Sequence, residues 1–143
     1  MGTGMEETYQ LTSALKHLPF GKQVALLTDA RFSGVSTGAC IGHIGPEALA
    51  GGPLGKLRDG DMVSIVVDRA AMTGSVDFIG CDGRTFSSDE GAEILAARTP
   101  DPRLAPHPAL PDDTRLWAAL QAASGGTWGG CTYDVEAILA KLR

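Results

Sequence analysis

Glycine sets the tightest limit on what this chain can build. Of its 19 glycines, eight fall in Gly34 to Gly60 and four in Gly125 to Gly130. There each one makes positive φ or close backbone approach inexpensive and raises the entropic cost of regular structure. Regular elements should therefore be short and lie mostly outside those stretches, and a site, if there is one, should be built from the loops.

Hydrophobic spacing places the elements. Between Met5 and Leu18 the residues Leu11, Ala14, Leu15 and Leu18 recur at helical intervals; Glu6 and Glu7 suit a first turn and Pro19 stops the pattern, which predicts a helix. Gln23 to Thr28 is a short, nearly continuous apolar run, as expected of a strand buried on both faces. The polar, glycine-punctuated DARFSGVSTG, Asp29 to Gly38, should then be a loop leaving the C-terminal end of that strand, where ligands usually sit in layered α/β folds. Pro46 to Ala50, followed by Gly51 and Gly52, fits a short helix with proline at its first position.

Further on, Pro53 to Leu57 and Met62 to Val67 read as strands around an Asp59-Gly60 turn, with Gly74 to Ile79 as a third strand. Ser88 to Ala97 reads as a helix whose Ser88 has no glutamate three residues on. Residues 99–111 carry five prolines and no periodicity, an extended connection inside one domain. Two helices follow, Asp112 to Ala123 with Asp112 as its cap and Leu116, Trp117 and Leu120 on one face, and Tyr133 to Leu142, bracketing the loop SGGTWGGC. The alternation gives a mixed α/β class, and 143 residues suit a single domain.

Bulk properties exclude several roles. Hydrophobic residues at 43% and charged residues at 20% are those of a folded chain. No apolar run approaches the roughly 20 residues needed to cross a bilayer, and no basic segment followed by an apolar one opens the sequence. The expected compartment is the cytoplasm. A net charge of -5, with scattered basic residues, argues against nucleic acid and against a membrane surface as partners. Cys40, Cys81 and Cys131 lie far apart without metal-finger spacing, so free thiols are expected rather than a disulfide framework or a zinc site.

One stretch carries more information than the rest. TDARFSGVSTGACIGHIGPEALAGGPLGKLRDGD, Thr28 to Asp61, resembles the signature of the dihydroxy-acid/6-phosphogluconate dehydratase family, whose pattern runs TDGRFSG, GH, PEA, GGP, DGD. Gly4-Met5-Glu6-Glu7 and Thr12-Ser13-Ala14-Leu15 resemble the family's GMxE and TSAL elements at the family spacing. Ala30, where most members have glycine, and the tail Pro111 to Val135 are similar to the subgroup that dehydrates D-xylonate.

The resemblance implies part of a C-terminal swivelling β/β/α barrel domain, less than one complete barrel. It also implies an N-terminal domain, outside this sequence, that holds the iron–sulfur cysteines and most metal ligands. The implied reaction is a hydro-lyase step: a base takes the C2 proton of an aldonic acid, the C3 hydroxyl leaves, and a 2-keto-3-deoxy acid forms. Ser33 matches the family's base as an alkoxide, and Glu7 matches a ligand of Mg²⁺, which would hold the substrate carboxylate and the developing enolate charge. Arg31, Gly34 and Thr37 fall in the same loop as candidate substrate contacts. Val35 stands where some members carry an assisting threonine, so that role is not carried over.

Each residue also has a plainer reading. Glu7 suits a helix first turn, Ser33 a turn, Arg31 an ion pair with Asp29, and the loop glycines simple loop shaping. His43 and Glu47 read as structural supports, and Trp117, Trp128 and Tyr133 as packing residues rather than a sugar pocket. Two functional readings follow. One is the C-terminal part of a sugar-acid dehydratase, inactive alone and completed by the N-terminal domain or a full-length subunit, in a homo-oligomer. The other is a non-catalytic binding or association domain, or a truncated relic.

Overall fold

The structure, a computed structural model, describes residues 7–126 and 132–143. Met5, Glu6, Trp128 and Cys131 therefore lie outside the described residues. The chain forms two compact units, Met1–Gly55 with Arg103–Arg143 and Lys56–Pro102.

In the first unit, strand β1 (Glu7–Thr8) precedes helix α1 (Gln10–Leu15). The expected helix is thus shorter, and Glu7 is a strand residue, because its backbone pairs with a distant segment instead of winding a first turn. Thr12 is the most deeply buried residue of α1, at 1% exposure, and its hydroxyl donates to the Tyr9 carbonyl at 2.8 Å. Strand β2 (Ala25–Leu27) pairs in parallel with β4 (Ala39–Ile41), and β1 pairs in parallel with β3 (Arg31–Phe32). β2 begins later than the apolar run suggests, after a 3₁₀ turn at Gly21–Gln23, and it is half-buried at Leu26 and Leu27, with Ala25 exposed.

Pro46 does not start the next helix. A 3₁₀ turn spans Ala48–Ala50, and Gly51 closes it at φ 88, a left-handed value that favours glycine. Pro53–Lys56 is a second 3₁₀ turn rather than a strand.

The second unit is a meander of β5 (Met62–Asp68), β6 (Thr73–Cys81) and β7 (Arg84–Thr85), all antiparallel, followed by helix α2 (Ser88–Ala97). Its hairpin turns at Arg69 to Met72, not at Asp59-Gly60, since β5 registers with β6 from Met62 to Asp68. Asp68 stabilises that turn by accepting the amides of Ala70 and Ala71 at 2.8 and 2.9 Å. Helix α2 lies on β6, where Phe78 meets Phe86 edge to face at 4.9 Å. A side chain at Gly91 would collide with the Phe78 carbonyl, so only glycine permits that approach.

The chain closes with α3 (Asp112–Ala123) and α4 (Val135–Lys141), both in the first unit. Pro111, not Asp112, occupies the N-cap of α3. Trp117 is 58% and Tyr133 46% exposed, so neither fills a core among the described residues, and Leu116 on the same helix as Trp117 is 58% exposed as well. The class is mixed α/β, and the strands among the described residues form no closed barrel.

Candidate active site

Two motifs far apart in sequence meet in one strand pair. Glu7 is in register with Arg31, and Thr8 with Phe32, so the backbone at Glu7 runs beside the segment that reaches Ser33 two residues later. The signature loop thus contains a strand, β3, which its polar composition concealed.

Ser33 follows β3 and opens a tight turn in which the Ser36 amide donates to the Ser33 carbonyl at 2.9 Å. The Val35 amide approaches Ser33 Oγ at 3.5 Å, the outer edge of hydrogen bonding. Such a donor would draw closer to a deprotonated oxygen, because bonds to an ionised acceptor are shorter and stronger. Ser33 is half-buried, whereas Arg31, Gly34 and Thr37 are exposed. Gly34 has open space where a side chain would stand, which leaves the turn backbone accessible. The Thr37 carbonyl accepts from the Cys40 thiol at 3.4 Å. Cys40 and Cys81 are free thiols, both half-buried.

The entry to the loop is stitched to the exit of β4. Thr28 donates to the Ile41 carbonyl at 3.0 Å, Ile44 donates to that of Thr28 at 3.2 Å, and His43 donates to that of Ala30 at 2.8 Å. Thr28 Oγ1 accepts the Ala30 amide at 3.1 Å. His43 holds φ 55, a left-handed backbone uncommon outside glycine, and it is exposed. Its support is therefore given by the backbone and not by a buried ring. A side chain at Gly42 would press on the Ala30 carbonyl and the Phe32 ring, both at 3.3 Å, so this glycine lets the two segments touch.

Asp29 has a role that sequence reading missed. Its Oδ2 accepts the amide of Ala48 at 2.8 Å, across 19 residues, and no local pattern announces a bond at that separation. Glu47 precedes Ala48 in extended conformation, φ -63 and ψ 153, and its carbonyl accepts from Ala50 and Gly52, each at 2.9 Å.

A complete metal centre does not fit the described residues: no three His, Cys, Asp or Glu side chains among them converge. Of Glu7, the backbone path is what is described. No helix among the described residues is long and apolar enough to cross a membrane.

Residues 1–102 match the family described as dihydroxy-acid/6-phosphogluconate dehydratase C-terminal. Over 99% of its length the chain is 66% identical to D-xylonate dehydratase YagF and 65% identical to D-xylonate dehydratase YjhG, both of Escherichia coli (strain K12). Over 92% of its length it is 39% identical to a dihydroxy-acid dehydratase of Dinoroseobacter shibae. It spans only 22%, 22% and 20% of those proteins.

Proposed function

The chain belongs to the dihydroxy-acid/6-phosphogluconate dehydratase family, within its C-terminal region, and from that premise we propose that it serves a hydro-lyase acting on an aldonic acid of the D-xylonate type. The observation that carries this reading is the β1–β3 register, which sets Glu7 beside Arg31 and two residues from Ser33.

In this reading Ser33 Oγ is the base that takes the C2 proton. The electron pair released at C2 forms the C2–C3 double bond as the C3 hydroxyl departs, so that water is lost and the enol relaxes to a 2-keto-3-deoxy acid. An ordinary serine hydroxyl is too weak a base for this. The Val35 amide supports the alkoxide, and further positive charge comes from groups beyond this chain. Arg31 orients the substrate carboxylate by charge-assisted hydrogen bonds, while Gly34 and Thr37 border the substrate. By the family match Glu7 would be one ligand of a Mg²⁺ whose other ligands lie outside the described residues, and the ion would stabilise negative charge on substrate oxygens. The iron–sulfur cluster has its ligands elsewhere.

The partners that follow are the remainder of a full-length dehydratase and further copies of it, in the cytoplasm. The strands that would close a barrel belong to that remainder.

The test is 2-keto acid formation from D-xylonate by the chain alone, and by the chain mixed with the remaining part of a full-length relative reconstituted with iron, sulfide and Mg²⁺. Activity is expected only in the mixture and should be abolished by Ser33→Ala. Silence in a mixture shown to assemble would favour a non-catalytic association domain; activity of the chain alone would refute the mechanism.

A further inference from the structure

We infer that Asp29 is a positioning residue for the Ser33 loop and acts through the Ala48 amide; this rests on the dehydratase reading above. The loop needs such a support. β3 is two residues long and its partner β1 is equally short, so their ladder alone is a weak anchor for the segment that carries Arg31 and Ser33.

Asp29 ties the base of that segment to a stiff point. Ala48 is the first residue of a 3₁₀ turn, so its N–H has no partner within the turn itself, and the Asp29 carboxylate supplies one at 2.8 Å. The turn behind Ala48 is tightly closed: Gly52 donates back to the Glu47 carbonyl at 2.9 Å, and a side chain at Gly52 would collide with the Pro46 carbonyl. Residues 28–30 are also held by the bonds from Ile44 and His43. Asp29 thus adds a side-chain tie to the same following segment, completing the grip just before β3. A bond from a backbone amide to an ionised acceptor is among the stronger neutral-donor contacts available for this purpose. Releasing it frees the loop entry four residues before Ser33, and a displacement of about 1 Å at a reacting group is enough to slow catalysis on the order of 10²-fold.

Amide hydrogen exchange and kinetics test this together. In Asp29→Ala the Ala48 amide should lose protection, and the Ser36 amide, which reports the Ser33 turn, should exchange about 10-fold faster or more, while amides of the β2–β4 pair keep theirs. Asp29→Asn, which retains an acceptor oxygen, should stay near wild type. Ala48→Pro provides an independent route if Asp29→Ala fails to fold. It deletes the donor at a first-turn position that tolerates proline, after a residue already extended as proline requires, and should reproduce the loosened Ser36 amide. In the reconstituted mixture, kcat should fall on the order of 10²-fold in Asp29→Ala and Ala48→Pro and be rescued in Asp29→Asn. Unchanged Ser36 exchange in either donor- or acceptor-deleted variant, or loss of protection throughout β2–β4 as well, would overturn the inference. An inactive wild-type mixture would instead overturn the dehydratase reading, and the exchange data would still decide the grip.

Discussion

The carboxylate of Asp61 is 5% exposed and meets both arms of the Arg98 guanidinium, at 2.5 and 3.0 Å. It also accepts the Arg58 amide at 2.8 Å, while Arg98 lies 4.7 Å from the centre of the Phe78 ring. One pair therefore joins the Arg58–Asp61 turn, the end of α2 and the aromatic centre of the second unit. The Arg98 guanidinium holds the Asp61 carboxyl below the usual carboxylate range. Because the folded state binds this proton less readily than the unfolded chain, the pair stabilises the fold fully above the ordinary aspartate value of about 4, and its contribution is lost as pH falls below that. Removing one member of a buried pair leaves an uncompensated charge. Arg98→Met is accordingly expected to lower stability by about 3 kcal/mol and to move the acid-unfolding midpoint of the second unit toward higher pH. Adding Asp61→Asn should recover part of the loss, which urea titrations of the single and double variants would measure as a coupling energy.

Helix α2 spans the residues its sequence suggested, Ser88–Ala97, but its N-cap lies one residue before the expected serine, and the capping chemistry accounts for the difference. Ser87, not Ser88, is the N-cap, and its hydroxyl accepts the Glu90 amide at 3.3 Å while the Glu90 carboxylate accepts the Ser87 amide at 3.0 Å. Reciprocal satisfaction of two otherwise unpaired donors favours this start. Ser87→Ala should cost about 1 kcal/mol in thermal denaturation, whereas Ser88→Ala should change little. Signals of this local kind made α2, α3 and α4 readable to within a residue or two. Strands too short to carry a pattern of their own were not readable: β1 and β3 are two residues each and exist because Glu7–Thr8 finds Arg31–Phe32. The apolar spacing around Leu11 and Leu15 therefore overextended α1 toward Glu7. Pro53–Lys56 likewise coils instead of extending, with Gly55 buried near Leu104, a contact from the far end of the chain that periodicity does not carry. The candidate site divides in the same way. Ser33, Arg31 and Glu7 are candidates because a motif names them, and the structure adds that the backbones of Glu7 and Arg31 are in register; the Asp29 grip on Ala48 is a long-range bond that no local pattern announces.

Burial is the property of the whole chain that departs furthest from its composition. A chain with 43% hydrophobic residues has material for a substantial core, yet among the described residues Phe78 and Leu95 are the buried hydrophobic side chains. Val66, Val67 and Met72 in the second unit, and Leu116, Trp117 and Leu142 in the first, stay largely exposed. Each large apolar side chain left in water forgoes about 1.5–3 kcal/mol of burial, while ordering the backbone costs about 1–2 kcal/mol per residue whether or not a core forms. The isolated chain should therefore unfold at low temperature, with a broad transition and appreciable dye binding to exposed apolar surface. The chain aligns over 99% of its length with D-xylonate dehydratase YagF and spans 22% of that protein. If the exposed side chains face that remainder, adding it at 100 times the dissociation constant should stabilise the chain by about 2.7 kcal/mol and sharpen the transition, read by thermal denaturation of the chain alone and in the mixture. The gain should shrink when Leu116 and Trp117 are both changed to serine. Their exposure already makes these positions unimportant to the fold of the isolated chain, so an equal gain in wild type and variant would place the covering surface elsewhere.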